Sequence, residues 1–205
     1  MHQEVLTPDG IKIWSLLNKF DGFYLAGGTG LALQIGHRIS VDFDFFSDKE
    51  IDTNLLAKTK RVFEGLSVSS SINNPNELTV FVDNVKVSFI KYPFPVIEKF
   101  HVLDGINVMS VKEIGATKAY TIGRRGTYKD YVDLYYIISE NHASLKEIID
   151  CADIKFGSEF NSRLFLEQLI FLDDIEDIEI KFLKEAISKK EILDFFLEQI
   201  KNFTL

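Results

Sequence analysis

The stretch Phe23-Tyr24-Leu25-Ala26-Gly27-Gly28-Thr29-Gly30-Leu31-Ala32-Leu33-Gln34-Ile35 joins a short apolar run to a helix-like pattern through two glycines. An apolar run that is broken by glycine and then resumes predicts a strand, a turn and a helix. The first N–H groups of a helix lack intrahelical partners, and glycine lets an anion approach the main chain. We therefore expect Gly27, Gly28 and Thr29 to bind phosphate, with the Thr29 hydroxyl capping the helix or contacting a phosphate oxygen.

A second motif, Asp42-Phe43-Asp44, follows along the chain. Alternate side chains of a strand share one side, so Asp42 and Asp44 should project together with their Cα atoms about 7 Å apart. Phe43 and Phe45 would then face the core. Two adjacent carboxylates repel each other unless a cation lies between them, and Mg²⁺ or Mn²⁺ suits oxygen ligands. We expect Asp42 and Asp44 to hold such an ion.

Each motif alone also has an ordinary explanation. A Gly-Gly pair is more often a simple turn, and Asp-x-Asp is more often a solvated strand end. Their order and spacing together favour a site for a metal ion and a nucleotide. Ser40 lies two positions before Asp42 and would share its side of the strand, so it could bind substrate or itself be modified.

The two motifs in this order resemble the signature of the nucleotidyltransferase fold shared with polymerase β. More narrowly, residues 25–33 and 37–46 resemble the AbiEii/AbiGii toxin family of nucleotidyltransferases. That family also has a helical lysine and a later Lys/Arg-Asp-x-x-Asp-Leu motif. Lys118 and Lys129-Asp130-Tyr131-Val132-Asp133-Leu134 stand at the corresponding places, so the resemblance covers residues 20–140.

The resemblance implies transfer of a nucleoside monophosphate from a nucleoside triphosphate to a hydroxyl, with Mg²⁺ bound by Asp42 and Asp44. It implies that Lys118 neutralises the triphosphate and that Asp130 orients Lys118 or acts as a base. An ordinary surface ion pair is the alternative for Lys118 and Asp130. Toxins of this family act with a cognate antitoxin, and some relatives modify transfer RNA. The expected acceptor is therefore RNA, with tRNA as one candidate, or protein.

One position departs from the wider fold, which takes a third carboxylate from a following strand. The matching segment, Val85-Lys86-Val87-Ser88-Phe89-Ile90, has Ser88 where an acid is expected. Asp83 does not replace it, because strict alternation puts Asp83 on the opposite side of the strand and Asp83-Asn84 is typical of a hairpin turn. Either two carboxylates suffice or catalysis is weakened, and Asp130 could in principle help.

Two other hypotheses stay open, and this departure motivates the first of them. The first is a degenerate protein that binds nucleotide without transferring it. The second is an interaction module that binds no nucleotide at all.

Basic residues near the motifs predict a local pocket for the triphosphate, since charge asymmetry can focus an anion. The C-terminal third is instead acidic, as in Asp173-Asp174-Ile175-Glu176-Asp177-Ile178-Glu179. Exposed helices that simply carry charges are the alternative. The residues expected to bind nucleotide in addition to the glycine turn are Arg38, Ser40, Lys86, Ser88 and Arg125.

Composition indicates a globular chain rather than a disordered one. With 205 residues and 46% hydrophobic content, it can bury a substantial core. The single cysteine, Cys151, excludes an internal disulfide, and the net charge of -8 argues against a general nucleic-acid coat protein. The chain has no signal-like start and no apolar run near the ~18 residues that span a bilayer. We expect a cytoplasmic protein that does not bind membranes.

The pattern along the chain predicts an α+β fold with a mixed sheet flanked by helices. Strands near 66–72, 77–82 and 85–91 form a β-meander, and a short strand is expected at 106–109. Helices should follow Thr7-Pro8, cover residues 53–64, run from Ser110 to about Gly123 and start again at Thr127. We expect a catalytic region over 1–140 and a helical region over 141–205 that packs on it and is helical throughout from residue 144.

Overall fold

The computed structural model describes residues 1–201, and its internal contacts divide the chain into two units. The sheet unit comprises Met1–Pro95 and Lys99–Met109, and the helical unit comprises Val96–Glu98 and the chain from Ser110 onward. This division differs from the predicted boundary at residue 140. The difference arises because the helix that starts at Val111 packs against the helices that follow it.

The sheet unit contains a mixed sheet of seven strands. The strands are β1 (Tyr24–Ala26), β2 (Phe43–Ser47), β3 (Val68–Asn74), β4 (Glu77–Val82), β5 (Val85–Lys91), β6 (His101–Leu103) and β7 (Ile106–Val108). Their order across the sheet is β3-β4-β5-β2-β1-β7-β6. β2 and β5 are parallel, as are β1 and β7, and the other neighbours are antiparallel. The predicted α+β fold with a meander over β3, β4 and β5 is confirmed.

Three helices of the sheet unit are α1 (Pro8–Leu17), α2 (Gly27–Ile35) and α3 (Leu55–Val62). α1 begins where predicted, since the Thr7 hydroxyl accepts a hydrogen bond from the Gly10 N–H at 3.1 Å. Trp14 on α1 is buried and stacks on Phe43 with 6.0 Å between ring centroids. Phe43 and Phe45 are both 1% exposed, so the alternation predicted for β2 is confirmed.

Strand β6 was not predicted. It pairs with β7 through a turn at Asp104-Gly105, where both residues have positive φ. His101 and Val102 are exposed, so the three-residue strand lacks the apolar alternation by which strands are recognised.

The helical unit contains α4 (Val111–Arg125), α5 (Tyr128–Ser139), α6 (Leu145–Phe156), α7 (Ser162–Leu169) and α8 (Lys189–Lys201). The serines predicted to start helices do so: Ser110, Ser144 and Ser188 accept hydrogen bonds from the N–H groups three residues later. α4 continues past Gly123 to Arg125. A glycine inside a helix costs only about 1 kcal/mol, and the packing of α4 outweighs it.

The prediction of helix throughout from residue 144 is wrong for the segment between α7 and α8. Residues 170–188 have no helix, and the acidic run from Asp173 to Glu179 lies within them. Like charges three and four residues apart destabilise a helix, and aspartate has low helix propensity. Within residues 1–201, no helix combines the length and apolar character needed to cross a membrane.

A fully buried ion pair holds the helical unit together at Glu113 and Lys155. Lys155 Nζ lies 2.7 Å from Glu113 Oε1, and both side chains are 0% exposed. The Glu113 carboxylate also accepts hydrogen bonds from the N–H groups of Ile97 and Glu98 at 3.0 and 3.1 Å. Glu113 therefore ties α4 to α6 and to the segment Val96–Glu98.

Replacing Lys155 by methionine should lower the free energy of unfolding by about 3–5 kcal/mol, because it leaves the Glu113 charge buried without its cation. Urea denaturation measures the loss. Lys146→Met on the same helix is the matched control, since Lys146 pairs with Asp150 at the surface and its loss should cost less than about 1 kcal/mol. Equal effects of the two substitutions would contradict the structural role of the buried pair.

Candidate active site

The glycine turn joins β1 to α2 and lies against two charged side chains. Gly27 has φ +63°, a conformation that favours glycine. A Cβ atom at Gly27 would come within 2.8 Å of Asp44 Oδ2, and one at Gly28 within 2.5 Å of Arg38 Nη2. The absence of side chains at the turn thus allows a carboxylate and a guanidinium to approach the backbone at the start of α2.

Gly27→Ala should displace Asp44 as well as strain the turn, because its Cβ would meet the carboxylate. A non-glycine residue in the left-handed region costs about 1–2 kcal/mol. Gly22→Ala is a matched control, since Gly22 has φ +84° with nothing within 4 Å of its Cβ position. We expect similar losses of stability in thermal unfolding but a fall in Mn²⁺ affinity only for Gly27→Ala. Equal Mn²⁺ affinities would show that the Gly27 contact does not position Asp44.

Thr29 makes hydrogen bonds within the protein that the sequence did not predict. It is 1% exposed, and its hydroxyl donates a hydrogen bond to the Asp42 carbonyl. Thr29 Oγ1 also lies 2.7 Å from Ser40 Oγ. Since Thr29 has one hydroxyl proton, Ser40 is the donor in this second bond. The N-cap of α2 is Ala26, without a side-chain bond, so Thr29 does not cap the helix.

The Thr29 hydroxyl is thus committed inside the protein, where it fixes the main chain of Asp42 to the first turn of α2. Ser40 is likewise buried, and its N–H donates to the Val5 carbonyl at 2.9 Å. In the structure these two hydroxyls bind each other, and their contact with a phosphate or substrate stays a prediction. Their effect is to set the entry of the chain into β2.

The two aspartates lie at the start of β2, with Asp42 immediately before the strand and Asp44 within it. Both are partly exposed. In the sheet, Asp44 is the register partner of Ala26 on β1 and of Ser88 on β5. Asp44 therefore lies between the residue that precedes the glycine turn and Ser88. The predicted juxtaposition of the glycine turn with the carboxylate strand is present.

This donor set fits a hard divalent cation. Carboxylate oxygens are its preferred protein ligands, and partial exposure leaves room for water and phosphate oxygens. Within residues 1–201, the structure contains no group of three or more histidine, cysteine, aspartate or glutamate side chains that could hold a metal ion. The register confirms that a serine stands on the neighbouring strand beside Asp44.

The Ser88 hydroxyl lies next to polar side chains of β4. Ser88 and Thr79 are register partners, each 2% exposed, and their hydroxyl oxygens lie 3.0 Å apart. Thr79 Oγ1 is 2.6 Å from Glu77 Oε1. Thr79 and Glu77 were not among the predicted site residues. The signal that could have found them is the pairing of β4 with β5 across the turn at Asp83-Asn84.

Three basic residues predicted to bind nucleotide have different environments. Arg38 is 3% exposed and its Nη1 donates to the Ile39 carbonyl at 3.1 Å. Lys86 is partly exposed on β5 opposite Phe81. Arg125 is exposed at the end of α4 in the helical unit. Nucleotide binding by these residues stays a prediction.

Lys118 lies between two aspartates in the helical unit. Its Nζ is 2.7 Å from Asp130 Oδ1 and 2.8 Å from Asp133 Oδ2. The exposed fractions of the three side chains are 11%, 10% and 0%, so the surface ion pair considered as an alternative is wrong. Burial by itself lowers the pKa of Lys118, but the charges of Asp133 and Asp130 outweigh it and raise that pKa above its ordinary value.

Asp130 has both carboxylate oxygens engaged. Oδ1 binds Lys118, and Oδ2 accepts hydrogen bonds from the Thr127 N–H at 2.9 Å and the Thr127 hydroxyl at 3.0 Å. These bonds confirm the predicted start of α5 at Thr127. They support the orienting role predicted for Asp130, and its alternative role as a base stays a prediction.

Asp133 was not included among the predicted site residues, although it is the more deeply buried partner of Lys118. The signal was present, since residues three apart on a helix share a face. Thr127 caps α5, so Asp130 and Asp133 lie on the same face of this helix. Both carboxylates contact Lys118 from that face.

Comparison with known proteins identifies the family. The model of the nucleotidyl transferase AbiEii toxin family, of the type IV toxin-antitoxin systems, matches residues 12–203. The chain belongs to this family. The resemblance drawn from the glycine turn and the Asp-x-Asp motif is thus confirmed, and the AbiEii family assignment extends over the helical unit as well as the sheet unit.

Known relatives agree with this assignment. An uncharacterized protein of Aquifex aeolicus (strain VF5), aq_aa25, is 29% identical over 188 residues, which cover 88% of this chain and 87% of that protein. A crystal structure from H. pylori assigned to the nucleotidyltransferases has a TM-score of 0.53 at 18% identity, covering 97% of this chain and 86% of its own. JHP933 from Helicobacter pylori has a TM-score of 0.52 at 16% identity, covering 96% and 97%. At these identities the two structures share the fold.

Proposed function

We propose that this chain transfers a nucleoside monophosphate from a nucleoside triphosphate to a hydroxyl group, with pyrophosphate as the leaving group. The observation that carries the proposal is the register of Asp44 beside Ala26, directly before the glycine turn. A carboxylate next to a helix N-terminus suits a divalent cation together with the phosphate that it neutralises. Membership of the AbiEii family supports the same activity.

Asp42 and Asp44 would hold Mg²⁺ or Mn²⁺ through their carboxylate oxygens. The bound ion would stabilise the charge that develops on the transferred phosphoryl group. The main-chain N–H groups of Gly27 and Gly28 would hold a β- or γ-phosphate. Thr29 would contribute by fixing the backbone of Asp42, as its hydrogen bond to the Asp42 carbonyl indicates.

Lys118 would supply positive charge to the triphosphate, a role that rests on the helical lysine of the family. Asp130 and Asp133 would orient the ammonium group and keep it protonated, in agreement with its raised pKa. Arg38, Lys86 and Arg125 would add further contacts to the nucleotide.

The acceptor that we propose is an RNA hydroxyl, with tRNA as the first candidate and a protein hydroxyl as the alternative. The family name supports a toxin that acts with a cognate antitoxin. We place the reaction in the cytoplasm, where nucleoside triphosphates and tRNA are both present.

A labelled transfer assay tests this function. Purified protein is incubated with Mg²⁺ and each labelled nucleoside triphosphate, in the presence of total tRNA or cell extract. We expect label in RNA or protein with the wild-type chain and none with Asp42→Ala or Lys118→Ala. Growth arrest on expression, relieved by a neighbouring gene, tests the toxin role separately.

A second candidate function is nucleotide binding without transfer, and Ser88 beside Asp44 favours it because the third acid is absent there. Binding of nucleotide without label transfer or pyrophosphate release would support this candidate. A protein that binds no nucleotide, and on which Asp42→Ala has no effect, would instead be an interaction module.

A further inference from the structure

A row of polar side chains crosses the sheet from Asp44 to Glu77. Asp44 is the register partner of Ser88, and Ser88 is the register partner of Thr79. Register partners project from the same side of a sheet, and neighbouring strands lie about 4.8 Å apart. Glu77 is two positions from Thr79 on β4 and so shares that side. The row therefore ends in one carboxylate beside the glycine turn and another two strands away.

The hydrogen bonds in this row have one consistent direction. An ionised carboxylate has no proton to donate, so Thr79 donates its single hydroxyl proton to Glu77 across 2.6 Å. The 3.0 Å bond between Thr79 and Ser88 must then be donated by Ser88. With its proton directed at Thr79, the Ser88 hydroxyl can meet any other group only as an acceptor.

Burial holds this direction in place. Ser88 and Thr79 are each 2% exposed, so water does not compete freely for their hydroxyls. Turning the Ser88 proton away from Thr79 would leave a buried acceptor unsatisfied, which costs about 1–3 kcal/mol. The main chain of Glu77 is also held, because its N–H donates to Asn74 Oδ1 at 2.9 Å at the end of β3.

We propose that Glu77 is a positioning residue that acts through Thr79 to present the Ser88 oxygen as a neutral ligand for the cation beside Asp44. Ser88 would in this way take the place of the absent third carboxylate. Hydroxyl oxygen is a hard donor of the kind that Mg²⁺ and Mn²⁺ accept. The inference rests on the proposed function, since it assumes a cation at Asp42 and Asp44.

The three members of the row can be removed in separate ways. Ser88→Ala deletes the oxygen, and Thr79→Val deletes the link while keeping the shape of the side chain. Glu77→Gln introduces an amide that can donate to Thr79, which lets the Thr79 proton turn to Ser88 and the Ser88 proton turn toward Asp44. All three changes should weaken cation binding, because each removes either the Ser88 oxygen or the hydrogen bond that directs the Ser88 proton away from the cation.

The test measures Mn²⁺ affinity of the purified full chain by isothermal titration, without nucleotide. Outer partners of a metal site typically contribute 10–100-fold to affinity, so we expect the Kd to rise at least about tenfold in Ser88→Ala, Thr79→Val and Glu77→Gln. Thr59→Val is the control, because Thr59 is a buried threonine that donates only to the Leu55 carbonyl within its own helix. It should leave the Kd unchanged, and urea denaturation verifies that each variant is folded.

Asp44→Ala separates this inference from the proposed function. If Asp44→Ala abolishes Mn²⁺ binding while the three row variants keep the wild-type Kd, the role of Glu77 and Ser88 is wrong and the metal site stands. If Asp44→Ala binds Mn²⁺ as the wild type does, or if the wild type binds none, both the metal site and the inference are wrong. If one of the three variants fails to fold, the Kd values of the other two decide the test, since each variant interrupts the same chain of hydrogen bonds.

Discussion

Asp44→Asn should reduce nucleotide transfer by about 10²–10³-fold, and Asp42→Asn should do the same. Each change removes a negative charge from the cation site while keeping the size of the side chain, and loss of one electrostatic contact to a transition state commonly costs 10²–10³-fold. Pyrophosphate release at saturating Mg²⁺ measures the loss. Because Asp44 lies between the glycine turn and Ser88, we expect its change also to weaken Mn²⁺ binding.

Asp48→Asn is the matched control for both substitutions. Asp48 follows β2 directly and is exposed. It has the same charge as Asp42 and Asp44 and lies close to them in sequence, but it does not lie in the sheet. Its transfer activity should equal that of the wild type. Retention of more than about a tenth of the activity in Asp44→Asn would contradict the metal role of Asp44.

The features that sequence analysis found are those set by local rules. The side-chain alternation of β2 follows from the period of a strand, so burial of Phe43 and Phe45 and partial exposure of Asp44 could be predicted. The start of α5 at Thr127 follows from a capping box. The family was recognisable for the same reason, because its motifs are short and continuous in the chain.

The features that were missed depend on contacts between distant segments. Thr29 looks like a helix cap in sequence, yet its hydroxyl binds Ser40 and the Asp42 carbonyl across the turn. The spacing of Asp133 from Asp130 was readable in the sequence, but the contact of Asp133 with Lys118 requires α4 and α5 to pack with Lys118 between them. Such pairings require the fold, because propensity carries no information on partners that are far along the chain.

The segment between α7 and α8 was predicted to be helical and is not. Capping boxes at Ser144 and Ser188 were predicted and are present, but the chain between α7 and α8 was assigned to helix by its flanks. Repulsion within the run Asp173-Asp174-Ile175-Glu176-Asp177-Ile178-Glu179 outweighs those flanking signals.

Lys118→Met should lower both stability and transfer, for reasons that can be separated. Removing the ammonium group leaves the carboxylates of Asp130 and Asp133 facing each other with 10% and 0% exposure, and breaking a buried ion pair costs about 3–5 kcal/mol. Urea denaturation measures this loss. Lys112→Met on the same helix is the control. The Lys112 side chain is 34% exposed and pairs with Glu98, so its replacement should cost about 1 kcal/mol or less.

The double variant Lys118→Met/Asp133→Asn distinguishes the structural role of Lys118 from its chemical role. Removing the deeper of the two carboxylates relieves the repulsion, so part of the lost stability should return. Transfer should not return, because the positive charge that we assign to the triphosphate is still missing. Recovery of transfer along with stability would show that Lys118 serves only to hold α4 against α5, and the labelled transfer assay on the same preparations decides between the two outcomes.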